Sequence, residues 1–156
     1  MAHASILVLG VGNVLMGDEG VGVHAIRLLE REPAAPGVTY LDGGTGGFHL
    51  LSLFQQYDPI IFIDATMDGK AAGDITVIEP RFASDFPRTL SAHDIGLRDL
   101  LESAQLIGPL PRLFLLAVSI ENIQSMSMEL SPPVAASLPR IADEIVRILA
   151  SFGVFS

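Results

Sequence analysis

A chain of 156 residues without cysteine is long enough for one domain with a sizeable core, and it offers no disulfide, thiolate nucleophile or cysteine-held metal. Eighteen acidic residues against nine basic ones leave a net charge of −9, which repels nucleic-acid backbones and anionic membrane surfaces. Although 49% of the residues are apolar, every apolar run falls short of the ~18–20 residues of a membrane span, and MAHASILVLG lacks a basic n-region, so we expect a cytoplasmic protein.

The first strand is expected at Ile6 to Val11, followed by a glycine turn and a helix from Asp18 to Glu32. A second strand, Val38 to Leu41, runs into YLDGGTGG, and a second helix is expected from Gly46 to Gln56. The third strand, Ile60 to Asp64, is separated from the fourth, Ile75 to Ile78, by ATMDGKAAGD. A parallel crossover needs roughly a dozen residues or more, so the fourth strand should run antiparallel at an edge. A helix from Ala92 to Gln105 follows, where Ser91 and Asp94 have capping-box spacing with Asp in place of Glu or Gln. The chain then gives a fifth strand, Leu113 to Val118, and a helix from Pro132 to Ser151, with Ser131 at the N-cap and proline at the first helical position. Unbroken aliphatic strands of this kind are buried on both faces. The prediction is one α/β domain over 1–156, a three-layer α/β/α sandwich with a mostly parallel five-stranded sheet and one antiparallel edge strand.

In such a sheet the loops at the carboxyl ends of the parallel strands carry the site. Glu19 follows the first strand, Asp42 closes the second and Asp64 closes the third. The helix from Ala92 must feed a parallel strand, which returns His93 to the same edge. Without cysteine a metal must be taken by His, Asp or Glu, and these four residues are candidates for a metal site or an acid/base pair. The acids of the first two turns also have ordinary structural readings. Asp42 before Gly43-Gly44 suits a turn, Asp18 suits an N-cap, and Glu19 in a first helical turn complements the macrodipole. Asp64 ends an apolar run, where a buried charge is costly without a partner. His3, His24 and His49 read as structural or solvated, and Met126 and Met128 as padding of a loop against the core. Gly10-x-Gly12 lacks the third glycine of a dinucleotide fingerprint, because Leu15 stands there, and neither G-x-S-x-G nor H-E-x-x-H occurs.

The segments ILVLGVGNVLMGDEGVGVHAIRLLE, YLDGGTGG, IIFIDA, SAHDIGLRDLL and LSPPV, in this order, resemble the nickel-iron hydrogenase maturation endopeptidases over nearly the whole chain. The resemblance implies removal of a C-terminal extension from a hydrogenase large-subunit precursor after nickel insertion, with nickel in the precursor as the recognition signal. It implies metal contacts from Glu19, Asp64 and His93, and a processing or substrate-contact role for Asp42, Gly43, Gly44 and Thr45. Family members often have a proline before the acidic residue of the later loop, where this chain has Ile120-Glu121. Two carboxylates and an imidazole suit nickel carried by the substrate, or zinc or cadmium in the isolated protein. Water would then attack the scissile carbonyl, with the metal polarising that carbonyl or delivering the water, or with Asp42 acting as general base. A noncatalytic metal chaperone and a nucleotide-binding α/β module are the alternative readings.

Overall fold

Strand residues of alternate parity point to opposite faces, and here both sets are apolar, so the sheet needs cover on both sides. The computed structural model describes residues 5–45, 47–87, 97–124 and 126–155. Its strands are β1 (Ile6–Gly10), β2 (Val38–Asp42), β3 (Ile60–Thr66), β4 (Ile75–Ile78) and β5 (Leu113–Ser119), ordered β2-β1-β3-β5-β4. Pairs β1/β2, β1/β3 and β3/β5 are parallel, and β4 runs antiparallel to β5 at one edge, as the short connection requires.

The helices are α1 (Val21–Leu29), α2 (Leu53–Gln56), α3 (Leu97–Ile107) and α4 (Pro132–Ser151). Ile6, Val8, Ile61, Ile63, Leu116 and Val118 face α1 and α4. Leu7, Leu9, Ile60, Phe62, Leu113 and Leu115 face α2 and α3, where Phe62 meets Phe54 and Phe86 at ring separations of 6.2 and 6.0 Å. Each such aliphatic or aromatic side chain contributes about 1.5–3 kcal/mol by leaving water, so the three layers hold the strand ends in fixed relation.

Several boundaries differ from the sequence expectation. The first helix does not begin at Asp18: a 3₁₀ turn, Gly17–Gly20, comes first and the α-helix starts at Val21. At the other end α1 stops at Leu29 instead of Glu32, with Arg31 and Glu32 closing tight turns to Leu28 and Leu29 before Pro33. Of the expected Gly46 to Gln56 helix, Gly46 lies outside the described residues, and the rest holds a 3₁₀ turn, Phe48–Leu50, followed by the four-residue α2. Gly47, at φ +110°, cannot continue a right-handed helix. β3 runs two residues past Asp64, because Ala65 and Thr66 still pair with Val118 and Ser119. α3 ends two residues later than expected; its expected start at Ala92, with Ser91 and Asp94, lies outside the described residues. Among the described residues no helix is long and apolar enough to cross a membrane.

Candidate active site at the switch between β1 and β3

The chain leaves β1 through α1 toward β2, and the next parallel strand, β3, pairs on the opposite side of β1. Crevices in open α/β sheets form outside the carboxyl ends of strands at such a reversal. The β1/β3 pairing ends at Gly10 and Ile63, so Asp64 follows at the point where β1 turns away.

Asp64 is 0% exposed, and its Oδ1 accepts the Ala65 backbone N–H at 2.9 Å. It shares the parity of Ile60 and Phe62 and so lies on the α3 face of the sheet. It sits inside β3 rather than at its end, a correction that leaves it at the same edge. Glu19, 3% exposed, sits in the 3₁₀ turn that packs against β3. Two glycines permit that approach. A Cβ at Gly12 would lie 2.1 Å from the Glu19 carbonyl oxygen, and one at Gly22 would lie 2.2 Å from the Ile63 carbonyl oxygen and 2.6 Å from that of Val11. Close helix–strand packing is supplied by Gly22, a residue the sequence reading passed over; its place two residues after Gly20 was a readable signal.

The Asp42–Thr45 turn is tied to the first glycine turn, Gly43 N–H donating to Gly10 O at 2.8 Å and Gly12 N–H to Gly44 O at 2.7 Å. Asp42 is exposed, and its Oδ1 accepts the Gly44 N–H at 2.8 Å, so the turn reading of this aspartate holds. Thr45 is exposed beside it. His93 lies outside the described residues, among which no group of three or more His, Asp or Glu side chains gathers as a metal site.

Asp18 is not the N-cap expected of it. The 3₁₀ turn shows no side-chain cap bond, and the Asp18 carboxylate instead accepts the Ser131 N–H and hydroxyl, each at 2.7 Å. Ser131 does stand at the N-cap of α4, but its hydroxyl is committed to Asp18. Met126 and Met128 do not pad the core either: they are 87% and 58% exposed. Met126 takes a left-handed φ of 58°, and Ser127 between them bridges to the first turn, which turns both methionines outward. Ile120 is buried and donates its N–H to Thr66 O at 2.9 Å, whereas Glu121 is exposed.

Of the histidines, His3 lies outside the described residues, His49 is exposed and His24 is half-buried on α1. Burial first, then the charge of Arg27, holds the His24 imidazole below its ordinary pKa of 6.5, against a Met128 backbone hydrogen bond and Asp18, which favour the cation.

The family model described as HycI, hydrogenase maturation protease, matches residues 23–148. The chain belongs to the hydrogenase maturation protease family. It is similar to the hydrogenase expression/formation protein HoxM of Azotobacter vinelandii, 37% identical over 160 residues that cover 99% of this chain and 76% of the relative. It is 33% identical to the hydrogenase 2 maturation protease of Escherichia coli K12 over 152 residues, 96% of this chain and 93% of that one. The solved structure of the hydrogenase maturating endopeptidase HybD from E. coli superposes with a TM-score of 0.85 at 33% identity, covering 96% of this chain and 94% of that chain. This maturation protease is accordingly a peptidase, a hydrolase that acts in hydrogenase maturation, and its mixed five-stranded α/β sandwich is the fold of that relative.

Proposed function

We propose that residues 1–156 act as one domain, a cytoplasmic endopeptidase that removes the C-terminal extension of a nickel-iron hydrogenase large-subunit precursor and recognises the nickel already inserted there through Glu19, Asp64 and His93. The supporting observation is the burial of Glu19 and Asp64 on either side of the β1/β3 reversal, in a turn and a strand that touch. Two carboxyl side chains brought to one edge supply oxygen donors of the kind that a divalent cation takes. The donor chemistry fits a borderline metal such as nickel, and zinc or cadmium would be accepted by the isolated chain for the same reason.

In this reading the three side chains dock the substrate's metal and thereby bring the scissile bond to the rim. The Gly43–Thr45 turn lies beside it; nothing stands within 4 Å of where a Gly44 Cβ would be, so the peptide backbone there is open to an extended substrate segment. The mechanism needs no enzyme nucleophile. Water attacks the scissile carbonyl, with Asp42 taking its proton as general base or with the metal lowering its pKa, and the proton is returned to the leaving amine. Asp42 is exposed and its Oδ1 accepts the Gly44 N–H, so the carboxylate is held in the turn without being buried.

The test uses precursor with and without nickel at neutral pH, followed by mass spectrometry of the released peptide. Loaded precursor should be cut and empty precursor ignored. Equal cutting of both would remove nickel as the recognition signal, and binding of loaded precursor without cutting would favour the metal-chaperone reading. A nucleotide module is the weaker alternative, because the turn after β1 presents buried acids where a phosphate needs bare N–H groups.

A further inference from the structure

Asp18 stands next to Glu19 in the same turn, is 1% exposed, and is bonded to residues more than a hundred positions away. Its Oδ1 accepts the Ser131 backbone N–H at 2.7 Å; its Oδ2 accepts the Ser131 hydroxyl at 2.7 Å and the Gln124 amide at 3.3 Å. In return the Asp18 backbone N–H donates to Gln124 Oε1 at 2.8 Å, so donor faces acceptor in both directions between these two residues. Beside them Gly17 N–H donates to Ser127 O at 2.7 Å and Ser127 N–H to Leu15 O at 3.0 Å. Gln124, Ser127 and Ser131 are thereby laid on the turn that carries Glu19, and Leu15, Met126 and Met128 are left exposed around it.

We propose that Asp18 is a positioning residue for precursor processing: it locks Gln124 and Ser131 onto the turn, beside Ser127, fixing where Glu19 stands and where the exposed Leu15, Met126 and Met128 meet the substrate. The proposal rests on the reading of Glu19 as a substrate-metal contact. Hydrogen bonds to a buried ionised carboxylate are the stronger kind, and a network in which every member is satisfied specifies one arrangement. A helix-dipole role does not require any of these long-range bonds, and the only covalent route from Gln124 and Ser131 to the turn is the whole length of the chain between them.

Asp18→Asn keeps the shape and breaks the match. In one orientation the new amide N–H₂ faces that of Gln124; in the other it faces the Ser131 N–H; and turning Gln124 over sets its N–H₂ against the Asp18 backbone N–H. Each alternative leaves a buried donor facing a donor. Adding Gln124→Glu restores the pattern, because a carboxylate at 124 accepts from both the Asn amide and the backbone N–H, with the charge moved by one residue and not lost. With full-length protein and nickel-loaded precursor, Asp18→Asn should lower kcat/KM on the order of tenfold and speed hydrogen exchange at the Gly17, Ser127 and Ser131 amides. The Asp18→Asn/Gln124→Glu variant should recover both.

A control separates positioning from lost stability. Ile148 is buried near the far end of α4, roughly 25 Å along the helix from Ser131, and Ile148→Val should process at the wild-type rate with a comparably lowered Tm. Three results would overturn the proposal: Asp18→Asn processing at the wild-type rate, the Ile148 variant losing activity in step with its Tm, or the double variant regaining amide protection without processing. Failure of the underlying reading looks different. Glu19→Gln cutting at the wild-type rate removes the role of Glu19 but leaves the exchange results of Asp18→Asn standing.

Discussion

Two glycine turns carrying acids meet at one end of this sheet and receive opposite treatment. The turn after β1 sinks Asp18 and Glu19 to 1% and 3% exposure, while the turn after β2 leaves Asp42 in solvent. Local sequence does not explain the contrast, since both turns pair acid with glycine and they are hydrogen-bonded to each other. What differs is the cover. Gln124, Ser127 and Ser131, from the far end of the chain, lie on the first turn, and Asp18 is the residue that receives them. On the proposed reading the buried turn is the one that meets the substrate's metal, and the exposed turn is the one whose carboxylate meets water.

The largest expected effects break that division of labour. Glu19→Gln and Asp64→Asn should each lower kcat/KM for loaded precursor on the order of a hundredfold, mainly through KM, because they remove charge from a buried contact. Asp42→Asn should instead lower kcat by roughly 10²–10⁴-fold with KM little changed, since an asparagine oxygen still accepts the Gly44 N–H and keeps the turn. Steady-state processing kinetics separate the two patterns. Asp42→Asn with a wild-type kcat would reduce Asp42 to a turn residue and leave water activation to the metal.

Glycine substitutions sharpen the comparison on the stability side. Gly22→Ala should gain about 1 kcal/mol of helix propensity but force a methyl into the Ile63 and Val11 backbone, a clash the strands cannot relieve. The net loss should be about 2 kcal/mol or more by denaturant unfolding, with α1 and the Glu19 turn displaced from β3. Gly44→Ala meets open space and suffers only from its φ of +54°, costing about 1 kcal/mol. Equal losses from the two would mean that the first turn is no more tightly docked than the second.

What the sequence revealed divides along the same line. Strand order in the chain, the antiparallel edge and the meeting of Glu19, Asp42 and Asp64 at one edge follow from short-range signals: aliphatic runs, a connection too short for a crossover, and the common direction of parallel strands. α4 was readable to the residue because Ser131-Pro132 marks its start. The 3₁₀ form of the first turn, the commitment of Asp18 and the outward methionines were not readable. They depend on Gln124 and Ser131 arriving from over a hundred residues away, and no local propensity encodes that pairing. Gly22 falls between the two cases, since its spacing was visible but the Ile63 carbonyl it admits was not.

The smallest expected effect is a pH dependence confined to the covered turn. His24 is half-buried on α1, its Nε2 finds no hydrogen-bond partner among the described residues, and burial and Arg27 depress its pKa in spite of the Met128 backbone hydrogen bond and Asp18. The unfolded chain, with an ordinary value of about 6.5, therefore binds a proton more readily than the folded one. Stability from keeping this imidazole neutral is present in full above about pH 6.5 and is lost as the pH falls through that value toward the depressed folded pKa, below which the loss levels off. Thermal unfolding from about pH 7 to about pH 5 should show wild type losing stability faster than His24→Gln, because the carboxylates distant from His24 are common to both proteins and cancel in the difference. Hydrogen exchange would localise the effect: protonation should speed exchange at Gly17 and Ser127, which dock the turn near Met128, and leave Gly44 in the exposed turn unchanged. Parallel stability curves for the two proteins would show that His24 does not carry this pH dependence, and equal acceleration at Gly44 would show that the two turns loosen together.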